Sequence, residues 1–299
     1  MNRICLYHGI DLDGFCSGAI YAKHARQHDL PAKLIPANYG WELPWEEFAG
    51  AEVTLIDFSM QPWTEFERLI KTAYKVIWID HHKSAIHEYT KHPEVFDNIA
   101  CFLSVEKAGC ELAWEYYFPE HEVPYAVHTL GRYDVWDHSH QDTLPYQYGM
   151  RMKELDPVAG ADRGDWDGFL ESSAFATSLN SNVLLAGQSI LAYQRKEDAT
   201  AAKSQCFVLN WEGRTWLAAN RSGRGSQFFD TLWDTERYHG MMSFSWNGNT
   251  WTVGLYSDRP NMDCGAIAKQ YGGGGHPGAA GFRVDQLPFD LFEKREKLC

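Results

Sequence analysis

The segments at residues 53–58 (VTLIDF) and 75–79 (KVIWI) constrain this chain more than any other feature. Both are apolar at consecutive positions, so both faces are buried, which is the pattern of a central strand in a parallel sheet covered by helices. Each also runs into groups with no packing role: Asp57 closes the first, and Asp80, His81 and His82 follow the second. The flanking sequence agrees with this reading. Residues 3–7 and 32–36 read as two more strands, residues 17–27 as a helix, and Pro62 as the first turn of a helix reaching about residue 73. Strands alternating with helices imply an α/β fold with a parallel sheet and flanking helices. Ligands of such sheets bind beyond the carboxyl ends of the strands, so His8, Asp57 and the tripeptide at 80–82 converge on one edge.

Downstream, residues 104–138 read as helical, and residues 174–204, rich in Ala and polar side chains, as a helical connection. Strand-like runs follow at 206–211, 215–219, 242–246 and 250–256, with Asn247-Gly248-Asn249 as a hairpin turn and a helix at 264–271 before a glycine run. A chain of 299 residues favours two domains. The expected division is a catalytic α/β domain over 1–185, a helical linker over 186–204 and a smaller α/β substrate-binding domain over 205–299.

Against 27 Lys and Arg stand 40 Asp and Glu, a formal net charge of -13. That balance disfavours long duplex nucleic acid as a partner and leaves small nucleotides or short single strands, with bound cations offsetting part of a carboxylate cluster. The seven cysteines are odd in number and none has C-x-x-C spacing, so they read as reduced thiols. His8, Asp11 and Asp13 interrupt the start of the chain, and no window approaches a membrane span. A cytoplasmic location, with no membrane partner, is the resulting expectation.

The loop His8-Gly-Ile-Asp11-Leu-Asp13-Gly14 puts an imidazole and two carboxylates between a strand and a helix, a donor set suited to manganese or a similar divalent ion. The alternative is a polar loop that caps the next helix, with Asp13 or Ser17 near the cap. Asp57 likewise reads either as a helix cap or as a ligand between two metals. Asp134, with Asp137 as its rival, would bring a further carboxylate over the sheet edge. His138 and His140 read as a solvated pair. In the run Gly272 to Phe282 (GGGGHPGAAGF), the amides around Gly273, Gly274 and Gly275 could approach a phosphate closely, and His276 could donate to the same anion.

These five segments, in this order, resemble the DHH phosphoesterase superfamily with its DHHA1 C-terminal domain, over nearly the whole chain. The stretches YHGIDLDGFCSGAI and GLYSDRPNMDCGAIAKQYGGGGHPGAAGF are most similar to the bacterial oligoribonuclease (nanoRNase) branch. The resemblance implies two divalent ions, with manganese as the best match and cobalt, zinc or magnesium as alternatives. One ion would take His8, Asp11 and Asp57, the other Asp13, Asp57, His81 and Asp134. Asp80 would then orient a ligand and His82 would face the substrate phosphate. Two departures stand out. One residue fewer separates His8 from Asp11 than in the H-x-x-x-D-x-D branches, and Tyr256 stands where several relatives have an arginine, with Arg259 or Arg221 as replacements. The implied activity is two-metal hydrolysis of short oligoribonucleotides or linear dinucleotides to nucleoside monophosphates. A cyclic dinucleotide phosphodiesterase, a bisphosphate-nucleotide phosphatase and a non-catalytic metal-dependent nucleotide-binding module remain the alternatives, and the oligomeric state stays open.

Overall fold

The structure is a computed structural model that describes residues 2–93, 99–137, 139–158 and 165–291. Two compact units divide at residues 191 and 192. The first unit begins with β1 (Arg3–His8), α1 (Leu12–Gln27), β2 (Ala32–Ala37), β3 (Glu52–Ile56), α2 (Trp63–Thr72), β4 (Lys75–Asp80), α3 (Lys83–Tyr89) and β5 (Ile99–Leu103). Its remaining helices are α4 (Gly109–Tyr117), α5 (Tyr125–Asp134), α6 (Thr143–Met150) and α7 (Asp165–Phe169). The strands form one parallel sheet in the order β2-β1-β3-β4-β5. The order runs away from β1 in both directions, so the switch point lies between β1 and β3.

Alternation along the central strands feeds two cores. Cys5, Ile56, Ile77 and Ile79 face Ile20 of α1, Leu112 of α4 and Leu130 of α5. Leu6, Val53, Leu55, Val76 and Trp78 face Phe66 and Leu69 of α2 and Ala85 of α3. Burial on both faces is why these strands are apolar at every position. Their exits are therefore rigid, and polar groups placed there are held by the sheet.

The segment at 104–138, which reads as helical in the sequence, holds two helices. Pro119 follows the end of α4, and Pro124 is the N-cap of α5, so the prolines separate the two. β5 and α6 were not singled out in the sequence. The long helix α8 (Ala174–Gln205) crosses the division between the units. Among the described residues no helix is long and apolar enough to cross a membrane.

The second unit contains β6 (Cys206–Trp211), β7 (Arg214–Asn220), β8 (Gly240–Trp246), β9 (Trp251–Tyr256), α9 (Cys264–Gln270), β10 (Gly274–Gly275) and β11 (Ala279–Val284). Its sheet has the order β10-β11-β9-β8-β7-β6 and is antiparallel except where β7 meets β8. One face packs Met242, Phe244, Leu255 and Trp216 against Ile267 of α9, and the other packs Leu217, Ala219 and Met241 against Phe228 and Phe229.

Candidate metal centre

The exits of β1, β3 and β4 carry the candidate ligands. His8 is the last residue of β1, and Asp11 is the N-cap of α1, accepting from the Gly14 amide through Oδ1 at 2.9 Å. The capping role thus falls to Asp11 rather than to Asp13 or Ser17. The second oxygen of Asp11, Oδ2, lies 2.9 Å from His8 Nδ1. Asp57 follows β3 but caps no helix, since α2 starts six residues later with Pro62 as its cap. Its backbone has φ +56°, a left-handed conformation that is uncommon outside glycine and typical of residues held for a function.

The side chains form three overlapping clusters: His8, Asp11 and Asp57; Asp13, His81 and Asp134; and Asp57, His81 and His82. Within each, one donor atom per residue lies within 4.8 Å of the others. Asp57 joins the first two, with Oδ2 at 3.7 Å from His8 Nδ1 and Oδ1 at 3.1 Å from His81 Nε2. His81 Nε2 is also 3.2 Å from Asp134 Oδ2 and 3.7 Å from Asp13 Oδ2. Asp137, the rival of Asp134, points elsewhere and lies 3.8 Å from Arg132. His140 is exposed, and His138 and Cys299 lie outside the described residues.

Asp13 is held from below. The amides of Gly109 and Cys110, at the N-terminus of α4, donate to its two oxygens at 2.9 and 2.7 Å. A Cβ on Gly109 would stand 2.5 Å from Asp57 Cβ, so glycine is what lets α4 come this close. Glu111 accepts from the Ala108 amide at 3.1 Å and ion-pairs with Arg132 of α5, tying that helix N-terminus to the helix that carries Asp134. The sequence offered little warning, because the N-cap is Ala108 and no Ser, Thr, Asp or Asn marks the start of α4.

Asp80 is engaged differently. Its Oδ1 accepts from the amides of His81 and His82 at 2.7 and 3.1 Å, and His82 Nδ1 lies 2.8 Å away. Its Oδ2 accepts from Trp78 Nε1 at 3.1 Å. Asp80 therefore fixes the ring of His82 rather than that of His81. His82 is the more accessible of the two rings.

Three buried ligand atoms, His8 Nδ1, Asp57 Oδ1 and His81 Nε2, lie close to oppositely charged neighbours but are not aligned for a hydrogen bond with any of them. Buried polar atoms are ordinarily satisfied, and a divalent cation is the partner that a mixed imidazole and carboxylate set would take. Electrostatics point the same way. Burial opposes charge on His8, but the carboxylates of Asp11 and Asp57 outweigh it and raise its pKa to about 10. Burial likewise works against His81, yet Asp57, Asp13 and Asp134 raise it to about 10. Burial and then the charge of Asp57 push Asp13 well up and Asp134 to about 6. Asp57 is lowered, because His8 and His81 overcome its burial. The protonated imidazoles offset this crowded negative charge, a role that bound divalent cations would take over.

In the second unit the glycine run forms a tight loop. Gly274 and Gly275 pair with Gly281 and Ala280, the His276 amide donates to Ala279, and the Ser257 amide donates to Gly278. Gly275 has φ +136°, and a Cβ there would meet Ala279 O at 2.6 Å, so only glycine fits. Arg259 stands just past β9, near this loop through Ser257, with Nη1 donating to Tyr238 O at 3.0 Å. Arg221 follows β7, four strand spacings from β10, which is roughly 19 Å at ordinary sheet geometry. Its guanidinium engages Asp198, Gln205 and the Phe228 ring. The structure does not bring Arg221 to the loop.

An uncharacterized protein, R106, of Acanthamoeba polyphaga mimivirus is 26% identical over 311 residues, spanning 96% of this chain and 69% of that protein. The DHH domain of a member of a ribosomal-protein family has a TM-score of 0.52 at 15% identity, covering 94% of this chain and 82% of that one. RecJ of Thermus thermophilus, solved with Mn2+, has a TM-score of 0.48 at 15% identity, covering 95% of this chain and 49% of RecJ. Residues 3–131, which hold His8, Asp11, Asp13, Asp57 and the tripeptide at 80–82, match the DHH family, N-terminal domain.

Proposed function

We propose that the protein is a two-metal phosphodiesterase that hydrolyses short oligoribonucleotides or linear dinucleotides to nucleoside monophosphates. The observation that carries this reading is Asp57, a buried carboxylate shared by two clusters of donor atoms, with His8 Nδ1, Asp57 Oδ1 and His81 Nε2 left without hydrogen bonds. One ion would be held by His8, Asp11 and Asp57, the other by Asp13, Asp57, His81 and Asp134. Manganese suits this donor set, and cobalt, zinc or magnesium could take the same positions. Two bound cations would supply an acidified water and neutralise the phosphoryl oxygens during in-line displacement.

The remaining work falls to the chain itself. The amides of Gly109 and Cys110 hold the Asp13 carboxylate in one orientation, so its charge is fixed before substrate arrives. Asp80 locks His82 through Nδ1, which leaves Nε2 to donate to a substrate phosphate. Burial opposes charge on His82, but the Asp80 hydrogen bond raises its pKa, which favours the donor form. The loop at Gly273, Gly274 and Gly275, with His276 and Arg259, is the proposed anion site of the second unit; the Gly273 and His276 amides already donate to Ala268 O and Ala279 O, so the side chains of His276 and Arg259 would make the contact, and Arg221 is left out because Asp198 holds it.

The test is incubation of the purified chain and manganese with a labelled linear dinucleotide, a cyclic dinucleotide and a bisphosphate adenosine nucleotide. Release of nucleoside monophosphate from the linear compound is the expected result. Turnover of the cyclic compound alone, or of the bisphosphate alone, would overturn the oligoribonuclease reading. Binding without turnover of any of the three would favour a nucleotide-binding module.

A further inference from the structure

We infer that the groove formed by the loop after β2 is a nucleobase subsite, in which Trp41 stacks on the base of the nucleotide whose phosphate lies at the Asp57 clusters. The inference rests on the proposed phosphodiester chemistry for the position of the phosphate, and on separate observations for the base.

The sheet puts this loop beside the candidate ligands. β2 pairs with β1 so that Ala37 lies opposite His8, and the Gly9 amide donates to Ala37 O at 2.9 Å. The residues that follow, Asn38 to Trp41, therefore leave the sheet next to the first candidate ligand. The ring centroid of Tyr39 is 6.2 Å from that of His8 and 5.2 Å from that of Phe58, the residue after Asp57. Tyr39 OH reaches Ser59 Oγ at 3.4 Å, which anchors the inner wall. A cavity of about 500 Å³ opens outward from this wall, a size ordinary for a small-ligand site.

The lining selects for a flat, uncharged, polar-edged ring. Tyr39 and Trp41 are 40% and 48% exposed, although aromatic rings of this size are usually buried. Trp45, also on the lining, is already covered by the Arg68 guanidinium 3.9 Å above its ring. Among the described residues no ring or cation contact occupies the indole of Trp41, so a face of it is available. Glu42 and Glu65 also line the cavity; Glu65 pairs with Arg68 at 3.3 Å, and Glu42 would repel a second phosphate. The same carboxylates, with the Gln61 amide, can accept from or donate to the edge of a base. A nucleobase meets all of these conditions, because every base offers a π face and amino or imino donors. A phosphate or a purely aliphatic group meets only some.

The test is equilibrium titration of the full chain, in manganese, with adenosine 5′-monophosphate and with ribose 5-phosphate, followed by calorimetry. The unsubstituted protein should bind the nucleotide more tightly than the sugar phosphate by roughly tenfold, the range expected of one stacked base. Trp41→Ala should bring the nucleotide affinity down to that of ribose 5-phosphate, and Trp41→Phe should restore most of the difference. Equal affinity for the two ligands in the unsubstituted protein overturns the inference. So does a nucleotide preference that survives Trp41→Ala, or an equal loss for both ligands, which would mark a structural role. Hydrolysis is not read in this titration. A chain that fails to cleave dinucleotides can still show the base preference, and one that cleaves them can lack it, so the two readings fail separately.

Discussion

Asp57 and Asp80 sit at the exits of adjacent parallel strands, both almost fully buried, and they solve the problem of a buried carboxylate in opposite ways. Asp80 collects donors from Trp78, His81 and His82, so its charge is met within the protein. Asp57 sits in a left-handed backbone conformation, has imidazoles on two sides, and leaves Oδ1 without a hydrogen bond. A saturated buried carboxylate is a positioning device, whereas an unsatisfied one surrounded by other carboxylates and imidazoles is built for a cation. The two residues are near neighbours in space and equally buried. Burial alone therefore says little about role; the hydrogen-bond inventory separates them.

The largest expected effect follows from Asp57→Asn. Asparagine tolerates the left-handed conformation, so the fold should survive, while the shared anionic ligand is lost. Turnover should fall by well over the ~100-fold that marks loss of a residue acting through a ligand, and manganese bound per chain should drop. Both quantities are read by turnover of a linear dinucleotide and by metal analysis after gel filtration. Retention of both would remove the distinction drawn between the two carboxylates.

Asp80→Asn should act one step removed. Manganese content should be retained, while turnover falls by roughly 10- to 100-fold because His82 is no longer fixed. The amide cannot accept from every donor that the carboxylate satisfies, so a buried N–H such as Trp78 Nε1 loses its partner at a cost of about 1–3 kcal/mol. Denaturant unfolding of the metal-free protein measures that loss. Disappearance of bound manganese in this variant would make Asp80 a ligand and collapse the comparison.

Protonation sharpens the contrast further. The pKa values of His8 and His81 are raised from 6.5 to about 10 in the folded chain, so the folded state binds more protons than the unfolded state above pH 6.5. Their contribution to stability is full below that value and is lost as pH rises through about 10. Asp134, raised from 3.8 to about 6, adds a loss in the same direction over that lower interval. Metal-free protein should therefore lose stability as pH climbs from 6.5 towards about 10. Imidazoles bind cations in the neutral form, so the stabilisation gained from manganese should grow over the same interval. Urea unfolding with and without manganese at several pH values checks both trends. A metal-free stability that is flat or rising would mean the two imidazoles are already neutral.

Much of the first unit could be read from the chain because its central strands are buried on both faces and end abruptly in polar groups. VTLIDF and KVIWID announce both the sheet and its functional edge. What the sequence left open was set by contacts distant along the chain. The cap of α1 is Asp11, and the support for Asp13 comes from amides 96 and 97 residues away. No local signal marks that support, since backbone N–H groups are present in every residue other than proline. β5 is not legible in the sequence because a five-residue apolar run, IACFL, does not distinguish a strand from a buried helical turn. The two arginines considered for the glycine loop were equivalent as residues, and only strand order separates Arg259 from Arg221.

The smallest effect is expected three residues beyond Asp134. Asp137 was its rival as a carboxylate over the sheet edge, and the rule drawn from Asp57 and Asp80 applies to this pair as well. Asp134 Oδ2 lies 3.2 Å from His81 Nε2, inside a cluster whose imidazole nitrogen has no hydrogen bond. Asp137 accepts from the Ser139 amide at 3.1 Å and lies 3.8 Å from Arg132, whose guanidinium is already engaged by Glu111. A long contact to a guanidinium that another carboxylate already holds contributes little, so Asp137→Asn should change stability by no more than about 0.5 kcal/mol and manganese affinity by no more than about twofold. Asp134→Asn should weaken manganese binding by far more, because it removes a charge the neighbouring imidazole already faces. Isothermal titration of the two variants with manganese compares them directly, and an equal loss in both would show that hydrogen-bond saturation does not sort ligands from bystanders at this edge.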